Sequence, residues 1–249
     1  MKMFKKLLFS MLISQQLIQL AHANTEYFHY KTPQNVDADV VKVSNLKDLK
    51  LFLNDANHQP YQNFSKIKQN LKKCQNMLFA MNAGMYHADY SPVGLYIEHS
   101  QTIKKLNTDT GFGNFFMRPN GVLAWNDNTA KIISTQKFAQ TSFKAKYATQ
   151  SGPMLVIDGK INPQFEAQSN SLKIRNGVGI KDNQLYFVIS NNKVNFYQFA
   201  AFFKNALGIE QALYLDGSIS SAFIPQAKRM DQRFGLGPMI AVIDSKQCK

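Results

Sequence analysis

The sequence predicts an α+β fold: a mixed, largely antiparallel β-sheet packed by helices in a single domain. Three observations carry this. Short apolar runs recur along the chain, and several meet a polar residue beside a glycine, as at 77–84, 148–157 and 212–217. Asn120-Gly121 and Asp158-Gly159 are hairpin-type turn dipeptides, and alternation of short strands and turns favours antiparallel pairing over repeated βαβ units. Helical spacing is confined to a few segments. At 249 residues the chain suits one sizeable core, and 45% hydrophobic against 18% charged residues places it with globular, not disordered, chains.

In chain order, Met1–Lys6 is basic, Leu7–Leu20 mostly apolar, and Ala21-His-Ala23 has the A-x-A form of a cleavage site. This is the pattern of a secretory signal peptide over residues 1–23, followed by one domain over 24–249. Gln15, Gln16 and Gln19 interrupt the apolar run, so no stable membrane span is expected, and the mature protein is expected to be exported, either periplasmic or secreted. The formal charge of +13 includes Lys2, Lys5 and Lys6; the remaining basic residues are scattered lysines without interleaved aromatics. They read as a solvated surface, and nucleic acid is not expected as a partner. Oligomeric state is not legible. Cys74 and Cys248 could pair in an oxidising compartment or remain two thiols; both readings stay open.

Tyr27–Tyr30 and Asp37–Val43 read as strands, and Leu46–Leu53 as a short amphipathic helix. Phe64–Cys74 has helical spacing through Phe64, Ile67 and Leu71. Met77–Met81 reads as a buried strand running into Asn82-Ala-Gly84, and Pro92–Ile97 as a strand ending at Glu98. His87-Ala-Asp89 has no evident third ligand, so no metal is expected, and no cofactor motif is present. Gly111-Phe-Gly-Asn-Phe-Phe116 lacks the third glycine and helix start of a dinucleotide turn. Asn120-Gly121 is expected to turn a hairpin between Phe115–Met117 and Val122–Trp125. Strands at 184–190 and 212–215, with a buried helix over Asn195–Leu207, complete the assignment.

Four junctions share one device, an apolar strand meeting small residues with one polar group: Asn82 with Gly84, Gln150 with Ser151 and Gly152, Arg175, and Asp216 with Gly217 and Ser220. Each alone is accounted for by turn chemistry or a salt bridge. Together they point to strand ends converging on a polar ligand. A carboxylate serves acid–base or nucleophilic work, and an arginine fork suits a phosphate or carboxylate. For Asp216-Gly217 a glycine turning with positive φ is expected. A serine hydrolase built on Ser220 or Ser221 with His87 or His99 lacks the Gly-x-Ser-x-Gly elbow. A non-catalytic envelope module binding sugar or phosphate through the same groups is the other alternative.

Five motifs, Asn-Ala-Gly-Met-Tyr, Gly-Phe-Gly-Asn-Phe-Phe, Ala-Thr-Gln-Ser-Gly-Pro-Met-Leu, Arg-Asn-Gly-Val-Gly and Leu-Asp-Gly-Ser-Ile-Ser, resemble in order the motif set of the phosphodiester glycosidase family. That family includes the uncovering enzyme, an N-acetylglucosamine-1-phosphodiester alpha-N-acetylglucosaminidase. The likeness covers roughly residues 75–245 and departs from the family's Asp-Gly-Gly-x-Ser at Ser218. The resemblance implies a hydrolase that cleaves the glycosidic bond of a sugar-1-phosphodiester, releasing sugar and a phosphomonoester. On this reading Asp216 and Arg175 are the expected catalytic residues, and Glu98, outside the motifs, is the other candidate catalytic carboxylate. Asn82, Gly84, Gln150, Ser151, Gly152, Gly217 and Ser220 are expected to bind substrate.

Overall fold

A computed structural model describes residues 25–248; the expected signal peptide lies outside the described residues. Three sheets form, and the strand pairings within them are antiparallel. Sheet I runs Thr25–Lys31, Asp37–Val43, Gln184–Ser190, Asn176–Lys181, Gln211–Tyr214, Met154–Ile157 and Lys160–Ile161. Sheet II runs Arg229–Met230, Ala222–Ile224, Asn76–Asn82, Met239–Asp244 and Leu49–Phe52. Sheet III runs Gln101–Lys104, Tyr96–Glu98, Tyr147–Ser151, Gly121–Trp125 and Ala130–Ser134. With few helices, this is the expected α+β domain weighted toward β.

One apolar core joins the three sheets. Val41, Phe187 and Leu213 of sheet I meet Phe79, Leu51 and Ile240 of sheet II and Leu123 and Trp125 of sheet III. Full burial of such side chains stabilises by about 1.5–3 kcal/mol each, so this junction holds the three sheets in a fixed arrangement. Trp125 donates its indole N–H to the Leu49 carbonyl at 3.1 Å, satisfying its polar edge inside the core. The opposite face of sheet I is covered by helix Phe196–Ala201, whose Asn195 and Gln198 form a capping box. It continues as a π-helical turn, Phe202–Ala206, so the expected buried helix is present in two parts. Helix Phe64–Asn70 covers sheet II through Phe64 and Ile67. Cys74 and Cys248 form a disulfide that ties the chain's last residues beside that helix.

Two local expectations are corrected. The segment 46–53 is not a helix: Leu49–Phe52 is a strand pairing with Met239–Val242. Leu49, Leu51 and Leu53 are buried while Lys50 and Phe52 are half-buried, a two-residue period that the spacing of 46, 49 and 53 concealed. Asn120-Gly121 does not turn a hairpin. Asn114–Phe116 is a 3-10 turn, and Gly121 already pairs with Ser134 and Ser151 inside sheet III. Asn120 is buried and donates its side-chain amide to the Phe115 carbonyl at 3.0 Å, closing the loop that the sequence read as a strand.

Candidate active site

The strand Gln211–Tyr214 lies in the interior of sheet I, between Asn176–Lys181 and Met154–Ile157. As it ends, Leu215 donates its backbone N–H to the Asn176 carbonyl at 3.1 Å, and Asp216 crosses toward sheet II. There the Asp216 N–H reaches the Ala83 carbonyl at 3.4 Å, while its own carbonyl accepts from the Asn82 side-chain amide at 2.8 Å. Gly217–Ile219 then makes one 3-10 turn. The positive φ expected for Gly217 is not what requires glycine, since its φ is not in the left-handed region. A Cβ there would fall 1.7 Å from the Tyr214 hydroxyl oxygen, so close approach excludes a side chain.

Beneath the turn lies a buried polar knot. Asn82 and Asn176 are almost fully enclosed, and the Asn176 amide donates at 3.1 Å to both the side-chain and backbone oxygens of Asn82. The Asn82 side-chain oxygen also accepts the Ser221 N–H at 2.8 Å. Ser220 donates toward the Asn176 side-chain oxygen at 3.1 Å. Leaving one such buried group unmatched costs about 1–3 kcal/mol, so the knot closes as a unit and holds both ends of the Asp216–Ser221 turn.

The turn borders two cavities. On the Asp216 side is a cleft of about 700 Å³, whose walls include Tyr86, His87, Asn107, Asp109, Asn114 and Phe116. Tyr86 is pushed up to about 12, first by burial and then by the negative charge of Asp216, so near neutrality it keeps its proton, which it donates to the Gly235 carbonyl. Phe112 stands fully exposed on the far wall, beside Gly113 at φ +91°. Asn107 is set in this wall by Gln150. The Gln150 side-chain oxygen accepts from the N–H groups of Leu95 and Asn107, both at 2.9 Å, and its amide donates to the Asn107 carbonyl at 2.7 Å and the Thr135 hydroxyl at 3.1 Å. On the Gly217 and Ser220 side is a second cavity of about 420 Å³ with several basic residues.

Arg175 lies directly behind the turn and is buried. It donates through Nε to the Val194 carbonyl (2.9 Å), through Nη2 to the Ser171 carbonyl (2.8 Å), and through Nη1 to the Tyr214 hydroxyl (3.3 Å). Its guanidinium stacks 3.7 Å above the Phe196 ring. This fork is engaged by protein groups and lines neither cavity. Burial draws its pKa down, an effect opposed by Tyr214.

The model of the phosphodiester glycosidase family matches residues 75–241, which include this turn and both cavities' principal walls. The chain belongs to that family. It is also 38% identical over 195 residues to YigE, an uncharacterised protein of Escherichia coli K12, covering 78% of this chain and 76% of that one. In fold it is similar to the zebrafish N-acetylglucosamine-1-phosphodiester alpha-N-acetylglucosaminidase catalytic domain auto-inhibited by its pro-peptide (TM-score 0.56, 13% identity, 88% of this chain and 82% of that). It is similar as well to a putative exported protein of Burkholderia pseudomallei K96243 (TM-score 0.55, 10% identity, 84% and 74%).

Within this phosphodiester glycosidase fold the expected residues separate into groups. Asp216, Gly217 and Ser220 border cavities; Asn82 lies in the knot below them, and Gln150 acts on the cleft through Asn107. Gly84 and Gly152 are packing glycines: a Cβ would meet the Gln150 carbonyl oxygen at 2.6 Å in the first case and the Asn120 Cβ at 2.6 Å in the second. Ser151 is fully buried, with its hydroxyl unpartnered among the described residues. Glu98 is in sheet III, where Ile97 pairs with Ala148, so it lies toward Tyr147 and away from Gln150. Among the described residues neither Ser220 nor Ser221 hydrogen-bonds a histidine: His99 is engaged with the Tyr147 hydroxyl at 3.0 Å, and His87 lines the cleft on the Asp216 side while Ser220 and Ser221 line the other cavity, so no serine–histidine pair is assembled. Sequence reasoning missed Asn176, though it follows Arg175 in a quoted motif, and missed Tyr86, Asn107 and Asn114. Asn107 has no sequence signal, because its place is set by a glutamine far along the chain.

Proposed function

We propose that the chain is an exported hydrolase that cleaves the C–O bond between an anomeric carbon and a phosphodiester. The observation that carries this reading is the placement of Asp216. In a phosphodiester glycosidase fold, it borders a polar, aromatic-walled cleft roomy enough for a sugar and is held there by a buried hydrogen-bond knot. The sugar occupies the cleft, with Asn107, Asn114 and His87 available to its hydroxyls and Phe112 and Phe116 to its apolar face.

Asp216 acts at the anomeric carbon, either as nucleophile or as base for water. The C–O bond breaks with its electron pair going to the phosphate oxygen, so the products are sugar and phosphomonoester. Water supplies the new hydroxyl at the anomeric carbon and one proton. Because a phosphate oxygen is a good leaving group, the site needs charge stabilisation and positioning more than strong acid catalysis. Arg175, with its fork occupied, serves as a positioning residue. It joins the Tyr214 hydroxyl, which touches Gly217, to the segment carrying Val194.

The test is sugar release from an N-acetylglucosamine-1-phosphodiester by the mature protein. Release by the wild type that is lost in Asp216→Asn supports the reading. Tight binding without turnover over hours sinks it in favour of a non-catalytic binding module. Export is supported by the form of residues 1–23 and by the disulfide, which suits an oxidising compartment. N-terminal sequencing is expected to find the mature protein starting at Asn24; an N-terminus at Met1 would remove this part of the proposal.

A further inference from the structure

The second cavity holds more positive charge than its own acids balance. Lys173, Lys193, Arg229 and Arg233 line it with a single acid, Asp231. Arg229 is accounted for: its Nε lies 2.7 Å from Asp231, and its Nη1 reaches Asp39 at 3.3 Å and Asn191 at 2.7 Å. Lys173, Lys193 and Arg233 have no carboxylate within ion-pair distance among the described residues. These three exposed cations therefore share one concave surface without internal neutralisation, and their mutual repulsion is relieved by an anion.

The backbone that carries the two lysines is also held in place. Lys173 and Val194 form an antiparallel bridge, with N–H to carbonyl distances of 3.1 and 2.8 Å, which sets Lys193 beside Lys173. Arg175 rivets the same place by donating to the carbonyls of Val194 and Ser171. The buried arginine thus fixes the segments that present the exposed cations. The cavity adjoins the candidate site, because consecutive residues Asp216 and Gly217 border the cleft and the cavity respectively.

A scissile phosphodiester carries one negative charge, fewer than the three uncompensated cations can accept. We propose that this cavity binds a second phosphate on the leaving group, so that the preferred substrate is a sugar-1-phosphodiester with a phosphorylated aglycone. This rests on the hydrolase reading above. The second phosphate is a terminal one, linked either directly as a diphosphate, so that C–O cleavage releases pyrophosphate, or through a polyol spacer, so that it releases a phosphomonoester that carries the second phosphate; either form presents a terminal phosphate dianion to the lysines.

The experiment has a binding arm and a kinetic arm. In calorimetry at low salt, inorganic pyrophosphate is expected to bind the mature protein, and the Lys173→Ala/Lys193→Ala double variant to bind it about tenfold or more weakly. Arg233→Ala is expected to show a smaller loss, and Lys72→Ala/Lys73→Ala, altered on another exposed surface, none. In kinetics, kcat/KM for sugar release is expected to be about tenfold higher with a phosphorylated aglycone than with a neutral alkyl one. That preference should vanish in the Lys173/Lys193 double variant while turnover of the neutral ester persists. Comparing diphosphate-linked with spacer-linked substrates assigns the source. Pyrophosphate binding that is absent, or unchanged in the double variant, overturns the second-phosphate site even if sugar is released. Lysine-dependent pyrophosphate binding with no sugar release from any ester overturns the hydrolase reading and leaves only an anion site.

Discussion

Asp216 and Glu98 are both acids at strand ends, and the fold places them in opposite chemical situations. Asp216 leaves sheet I where it meets sheet II, beside a cleft, with its backbone held by Asn82 and its surroundings supplied by tyrosine, histidine and asparagine side chains. Glu98 ends a short strand of sheet III among Tyr96, Tyr147 and His99, where the Tyr96 hydroxyl donates to it at 3.0 Å. Burial pushes Glu98 up to about 7, against an ordinary value of 4.5. A perturbed carboxyl is often a functional signal, but this one borders neither cavity. The difference shows that access and a preorganised frame, and not the shift by itself, mark the acid suited to act on a substrate.

The largest expected effect tests that contrast directly. Asp216→Asn should lower sugar release by about a thousandfold or more while leaving the thermal unfolding midpoint nearly unchanged. Turnover near wild type at matched folding would transfer the chemistry elsewhere. Next comes the frame. Asn176→Ala removes the amide that joins Asn82 and Ser220 and should cut kcat by about a hundredfold, because a displacement near 1 Å at the reacting group is enough for such a loss. Chemical denaturation should show the same variant losing about 1–3 kcal/mol. Unchanged kcat would mean that the knot supports stability alone.

Arg175→Ala distinguishes a rivet from a phosphate ligand. It leaves the Val194 and Ser171 carbonyls without their donors and strips the stacking on Phe196, so a stability loss of about 2–4 kcal/mol is expected. Arg175→Lys should recover only part of this, since an ammonium lacks the planar fork. A large rise in KM with unaltered unfolding would instead place the guanidinium on substrate.

The smallest catalytic effect is expected at Glu98. Glu98→Gln should change sugar release by less than about threefold. Its effect on stability depends on pH. Between the ordinary value and about 7, the folded protein holds a proton that the unfolded chain has released. Wild-type stability therefore falls as pH rises through that window, and the loss is complete above the folded value. The glutamine variant lacks this slope and should gain on the order of 1–3 kcal/mol over wild type at pH 8, with little difference at pH 4. Unfolding midpoints measured at both pH values check the sign; a variant less stable at pH 8 would show that the ionised carboxylate is a stabilising group.

What the sequence by itself determined is the set of strand-end junctions, the α+β class and the family. These rest on local chemistry: apolar runs, turn residues and short motifs are properties of neighbouring positions, so Asp216-Gly217 and Asn82 could be singled out without coordinates. Local errors had local causes too, as where the two-residue period of Leu49, Leu51 and Leu53 was hidden by a competing helical spacing. Tertiary structure alone decided which polar groups face solvent and which are consumed inside. Arg175 and Gln150 carry the residue types of ligand-binding groups, yet, apart from the local Arg175–Ser171 bond, their hydrogen bonds end on protein groups distant in sequence. Lys173 and Lys193 looked like scattered surface charge until the Lys173–Val194 bridge set them together. The physical reason is the same in each case. A side chain's chemistry is encoded where it stands, but its partners and exposure depend on contacts between distant segments that only the packed sheets bring together.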